Sequence, residues 1–152
     1  MEKLEFKDLD RTFCPVSKAM REIGDRWTLL ILRECFWGFK RFDDFQVNLK
    51  ISKSVLTTKL NHMISLDLIE KQSYKEEGKR TRYEYTFTQK GKDLTKIMLS
   101  FLDWGNKYLV NEGEITLKAI DKISKKEVAI DILDDSGKRL KYSALEMKIV
   151  RK

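Results

Sequence analysis

The spacing of hydrophobic residues changes character along the chain: helical as far as residue 66, alternating from 68 to 87, helical again from 89, and alternating once more beyond 111. In the first stretch, residues 1–13 are mixed polar and apolar and predict an arm or a short helix. Cys14-Pro15 opens a helix, since proline suits a first turn where its missing N–H costs nothing. Val16, Ala19, Met20 and Ile23 form the apolar face of that helix and Gly24 ends it. Arg26 to Trp37 is apolar nearly all round and predicts a buried central helix, with Cys35 as a small hydrophobe of the core. Gly38 breaks the pattern, and Arg41 to Asn48 predicts a short helix with Phe42 and Phe45 inward. A turn at Leu49–Ile51 then leads to a helix over 52–66, with Ser52 as N-cap. Its Leu56, Leu60, Met63 and Ile64 recur at the i, i+4, i+7, i+8 spacing of a buried face.

Leu68 to Tyr74 and Thr81 to Phe87 alternate and predict two strands around a turn in which Gly78 supplies the flexible position. Two short helices joined by a tight turn, followed by a hairpin, is the layout of a winged helix-turn-helix. Thr88 can cap one long helix from Gln89 to about Val110. Its stripe of Leu94, Ile97, Met98, Phe101, Leu102, Trp104 and Tyr108 is wider than one contact with a small domain requires, which predicts a dimer seam. The seam is assigned to Leu94, Ile97, Met98, Phe101, Trp104 and Tyr108. Beyond Asn111 the stretches 115–120, 127–133 and 140–150 alternate around a turn at Asp134–Gly137, predicting a small β tail with its own cluster of Ile, Leu and Val. The expected fold is therefore mainly α with a β-wing (α+β). A winged helix-turn-helix domain over 1–112 is followed by a small β-rich C-terminal extension over 113–152.

Charge sharpens the picture at one place. The chain of 152 residues carries 31 Lys+Arg against 24 Asp+Glu, a net charge of +7. Alone this only favours an anionic partner, nucleic acid ahead of membrane. Yet Phe45 to Leu66 holds no acid at all, and the face opposite the apolar one presents Ser54, Thr57, Thr58 and Asn61. Hydroxyls and amides match base-edge donors and acceptors, whereas flexible ammonium groups act as point charges. Ser54, Thr57, Thr58 and Asn61 are thus expected at bases of double-stranded DNA, and Lys53 and Lys59 at phosphates. Lys79, Arg80 and Arg82 on the hairpin are expected in the minor groove or at the backbone, against a solvated hairpin whose charges Glu76 and Glu77 offset. Arg41 is expected at a phosphate, the alternative being an intramolecular pair with Asp43 or Asp44.

Other chemistry finds little support. His62 is the one histidine and has no Ser or Cys nucleophile beside it, so no enzyme is expected. Phosphate-loop and metal-site motifs are missing, and two distant cysteines make neither a disulfide framework nor a metal cluster, so no metal and no cofactor are expected. No apolar run approaches the length of a membrane span and the start is no signal peptide, which leaves the cytoplasm as the expected compartment. Cys14, at a helix N-terminus with Lys18 or Arg21 near, is a redox candidate through a favoured thiolate; burial is the alternative.

These residues also resemble the HxlR-type winged-helix regulators of prokaryotes. The resemblance lies in C-P-V at Cys14–Val16, I-G-D-R-W-T-L-L-I-L at Ile23–Leu32, K-R-F-D-D-F at Lys40–Phe45 and I-S-K-S-V-L-T-T-K-L at Ile51–Leu60. It continues through L-D-L-I-E at Leu66–Glu70, R-Y-E-Y-T-F-T-Q-K-G at Arg82–Gly91 and W-G at Trp104–Gly105, over roughly residues 11–110. It implies a dimeric DNA-binding transcription regulator whose first and last helices build the homodimer. An inverted-repeat operator follows from the two-fold symmetry. Redox-sensing members carry their thiol just before the same proline, which keeps a thiol-based or small-molecule sensor whose output is DNA release as the alternative. The effector is left open, and the β tail lies outside the resemblance.

Overall fold

The structure, a computed structural model, describes residues 10–149. Of the expected N-terminal arm, residues 1–9 lie outside the described residues, and Arg11–Phe13 form a single 3-10 turn capped by Asp10. The chain divides into two compact units: Pro15–Met98, and a second built from the described residues on either side, 10–14 and 99–149.

The first unit holds α1 (Pro15–Ile23), α2 (Arg26–Phe36), α3 (Phe42–Leu49), α4 (Lys53–Ser65), β1 (Ile69–Tyr74), β2 (Arg82–Phe87) and α5 (Gln89–Lys92). Its core is Ile31 and Leu32 of α2, Phe45 of α3, Leu56, Leu60 and Met63 of α4, and Ile51, Leu68, Ile69 and Tyr85 between and beside them. Cys35 packs against this core as expected. Burying each apolar side chain is worth roughly 1.5–3 kcal/mol, so the three from α4 fix the rotation of that helix about its axis. The face opposite them must point outward. Antiparallel β1 and β2 pair from Ile69↔Phe87 to Tyr74↔Arg82. A single bridge, Arg41↔Glu84, and the bond from Tyr85 N–H to the Lys40 carbonyl at 2.7 Å tie the start of α3 to β2.

The long helix expected from Gln89 to Val110 is broken. α5 ends at Lys92, and α6 runs from Thr95 to Tyr108. Gly91 lies so close to the residue before β1 that an added Cβ would sit 2.0 Å from the Leu68 carbonyl oxygen. The Thr88 hydroxyl donates to the Asp67 carbonyl at 2.6 Å. These contacts pin α5 to the sheet end. Leu94 N–H then bonds back to the Gly91 carbonyl, a tighter turn that interrupts the α-helical ladder before α6.

In the second unit the tail departs from its expected form. Among residues 111–149 there is no strand, only the isolated bridges Ile120↔Glu127 and Leu133↔Arg139 and a 3-10 turn at Tyr142–Ala144. Local side-chain bonds close the two hairpins. The Asp121 carboxylate accepts from Ser124 N–H at 2.6 Å, and that of Asp134 accepts from Ser136 and Lys138 N–H at 3.0 Å. Nor has the tail a core of its own, because none of its described residues is buried. Leu117, Val128 and Ile130 instead line a cleft of about 160 Å³ with Leu99 and Leu102 of α6. The Asn106 side chain donates to the Leu117 carbonyl at 2.6 Å. Short hairpins cannot enclose both faces of an alternating pattern, so alternation here does not make a sheet.

Candidate nucleic-acid interface

α3 and α4 are joined through Lys50, Ile51 and Ser52. Lys50 adopts the left-handed conformation (φ 50°, ψ 38°), which reverses the chain, and buried Ile51 anchors the turn. The Ser52 hydroxyl accepts from Val55 N–H at 3.3 Å and so caps α4. Ser54, Thr57, Thr58 and Asn61 are all exposed along one face of α4, with Lys53 exposed at its start. Within this face the Thr58 hydroxyl donates to the Ser54 carbonyl at 3.0 Å, leaving its oxygen lone pairs outward.

Lys59 is placed differently. Its side chain is only 26% exposed and its ammonium lies 2.9 Å from the Asp25 carboxylate. Asp25 is the N-cap of α2, accepting from Trp27 and Thr28 N–H at 3.1 and 3.2 Å and from the Thr28 hydroxyl at 2.5 Å. Burial acts to raise the Asp25 pKa, but the bonds from Thr28 and Lys59 outweigh it and hold the carboxyl below its ordinary value. Lys59 therefore ties α4 to the start of α2.

Arg41 stands at the N-cap of α3 with its guanidinium 4.9 Å above the Tyr74 ring. Its ion-pair partners are Glu76 and Glu84 of the hairpin, each at 3.6 Å, and not Asp43 or Asp44. Lys40 adds a 2.7 Å pair to Glu84, and its hydrogen bond is the main cause holding that carboxyl below the usual range. At the hairpin tip Lys79 pairs with Glu76 at 2.5 Å, while Arg80 and Arg82 are exposed. Gly78 at φ +74° makes the turn. His62 faces inward enough for its Nε2 to lie 3.2 Å from the Glu22 carbonyl oxygen.

One positioning group escaped the sequence. Glu34 is buried in α2, accepting from Arg33 at 2.6 and 3.1 Å and from the Asn48 amide at 2.9 Å. It locks the end of α3, and hence the turn into α4, onto α2. The one carboxylate in a helix apolar nearly all round was the available signal, because a buried charge requires partners.

The stripe on the last helix divides between two directions. Leu94 and Met98 pack on the core of the first unit. Ile97, Phe101, Trp104 and Tyr108 remain 41–59% exposed, with Trp104 and Tyr108 ring centroids 5.7 Å apart. Val16 and Met20 of α1 are exposed as well. Cys14 is half-buried immediately before α1, whereas burial pushes the Cys35 thiol up to about 12, with Glu34 adding to the effect.

The HxlR-like helix-turn-helix family model matches residues 22–113. An uncharacterized HTH-type transcriptional regulator of Mycobacterium tuberculosis (strain CDC 1551 / Oshkosh) is 37% identical over 94 residues, covering 62% of this chain and 58% of that protein. The chain thus spans under two thirds of the length of this mycobacterial relative. YdeP of Bacillus subtilis, another uncharacterized HTH-type transcriptional regulator, is 31% identical over 123 residues, 79% of this chain and 94% of its own length. Among solved structures, PA1607, titled as a candidate transcription factor, superposes with a TM-score of 0.78 at 25% identity. It covers 91% of this chain and 97% of its own. That coverage must include most of the C-terminal segment. Oxidized HypR, titled a redox regulator, superposes at 0.57 with 25% identity and covers 64% of this chain and all of its own. On the family match and these likenesses, with the exposed helix, turn and hairpin in place, the chain belongs to the HxlR-like helix-turn-helix family.

Proposed function

We propose that this chain is a cytoplasmic, sequence-specific DNA-binding transcription regulator, acting as a homodimer on an inverted-repeat operator. The acid-free outer face of α4 carries the reading: exposed Ser54, Thr57, Thr58 and Asn61 form a polar strip, and rotation of the helix is fixed by three buried residues opposite. Thr57 and Asn61 offer donors and acceptors to base edges, and Thr58 offers an acceptor. Lys53 and the hairpin's Arg80 and Arg82 neutralise phosphates, which makes affinity salt-dependent. Arg41 joins them by exchanging Glu76 or Glu84 for a phosphate. Dimerisation is assigned to the exposed stripe of α6, and two-fold symmetry calls for operator half-sites about one helical turn apart.

The test replaces Thr57, Thr58 and Asn61 by Ala together. Discrimination between operator and random duplex falls by about tenfold or more, at roughly 1–3 kcal/mol per well-formed base contact, while weak nonspecific binding persists. Full discrimination in the triple variant refutes the assignment of this face. A second reading, thiol-based sensing with DNA release as output, draws on Cys14, which is half-buried where Cys35 is chemically shielded. Operator binding that survives complete modification of Cys14 removes it.

A further inference from the structure

The C-terminal segment poses a physical problem that DNA reading leaves untouched. Between 111 and 149 no residue is buried, yet the segment is rich in large apolar side chains. Ile115, Ile123, Tyr142 and Met147 are 89%, 93%, 84% and 75% exposed. A surface meant for water rarely carries so many large apolar side chains within one short segment, and such a density of exposed apolar surface marks an interaction site. The same compact unit carries the exposed aromatics Phe101, Trp104 and Tyr108 of α6, so one body presents both surfaces.

We propose that residues 113–149 form a clasp for a second copy of this chain, their exposed apolar side chains covering the partner's α6. This rests on the homodimer reading given above and adds to it the element that closes the interface. Area favours a second copy. Seven side chains of this kind expose roughly 100–150 Å² each, about 700–1,000 Å² per copy, against the roughly 800 Å² per partner of a standard stable interface. Charge favours it too. Residues 113–149 hold eight Lys+Arg and seven Asp+Glu, nearly neutral in a chain of net +7. A polyanion finds no attraction there, and two copies meet without the repulsion their basic faces would impose.

The test uses the full-length protein. Ile123→Ser with Tyr142→Ser removes two side chains that touch little of their own chain, so the circular dichroism spectrum stays that of wild type. An isologous interface uses each side chain twice, so the dimer dissociation constant measured by sedimentation rises at least tenfold. Isotopically heavy and light protein are mixed and treated with an amine crosslinker. Heavy–light links then join Lys107 of α6 to Lys122 or Lys125 of the segment. A dimer constant within twofold of wild type overturns the clasp. If Phe101→Glu nonetheless breaks the same dimer, the dimer reading stands without it. A wild-type protein that sediments as a monomer at micromolar concentration overturns both.

Discussion

Lys59 offers a sharp test because its placement separates two roles that a sequence pattern merges. As a phosphate contact it would contribute to the salt dependence of DNA binding. As the partner of Asp25, at 2.9 Å, it contributes to folding instead. Lys59→Met keeps the apolar stem and removes the charge. Exposed ion pairs are worth about 0.2–1 kcal/mol, and this one, three-quarters covered on the lysine side and shared with a helix cap, falls near the top of that range. A loss of about 1 kcal/mol lowers the melting temperature by about 4–8 °C in a domain of this size. Because the folded-state pKa of Asp25 is depressed, the pair's contribution is complete above the unfolded carboxylate value near about 4, and it is lost as pH falls through the lower folded value. The difference in melting temperature between wild type and variant is therefore constant from neutral pH down to about 5 and closes only in stronger acid. Binding is followed by fluorescence anisotropy on a random duplex between about 50 and 200 mM salt. The slope of log affinity against log salt is unchanged in Lys59→Met. In Lys53→Met it loses about 0.9 per bound copy with no change in melting temperature. A flattened slope with unaltered melting in Lys59→Met refutes the tether.

Two further substitutions probe the frame around the reading helix. Gly91→Ala drives a methyl to 2.0 Å from the Leu68 carbonyl oxygen, where backbone must move; thermal denaturation shows a loss of about 1–3 kcal/mol, and a neutral result would mean that α5 is not held against the sheet end. With its thiol pushed up to about 12, Cys35 is thiolate to roughly one part in ten thousand at pH 8, so iodoacetamide alkylates Cys14 and spares Cys35 until denaturant is added, as mass spectrometry of the two peptides reads out.

The sequence by itself determined α1 to α4 and the outward face of α4. Helical period, the Ser52 cap and the acid-free run are properties of neighbours in the chain, and burial of Leu56, Leu60 and Met63 leaves one orientation for the rest. It likewise predicted the two paired strands and the glycine at their turn. Long-range partners were decided only in three dimensions. That Lys59 lies beside Asp25, and that Arg41 pairs with the hairpin's Glu76 and Glu84 and not with Asp43 or Asp44, depends on which elements fold side by side. The break before α6 follows directly on the close approach of Gly91 to the Leu68 carbonyl, a contact that spacing along the chain does not encode. The tail marks the same boundary from the other side. Its alternation specifies extended chain locally, but a strand needs a neighbour along its length and a face needs something to cover it, and both are supplied by tertiary or quaternary packing.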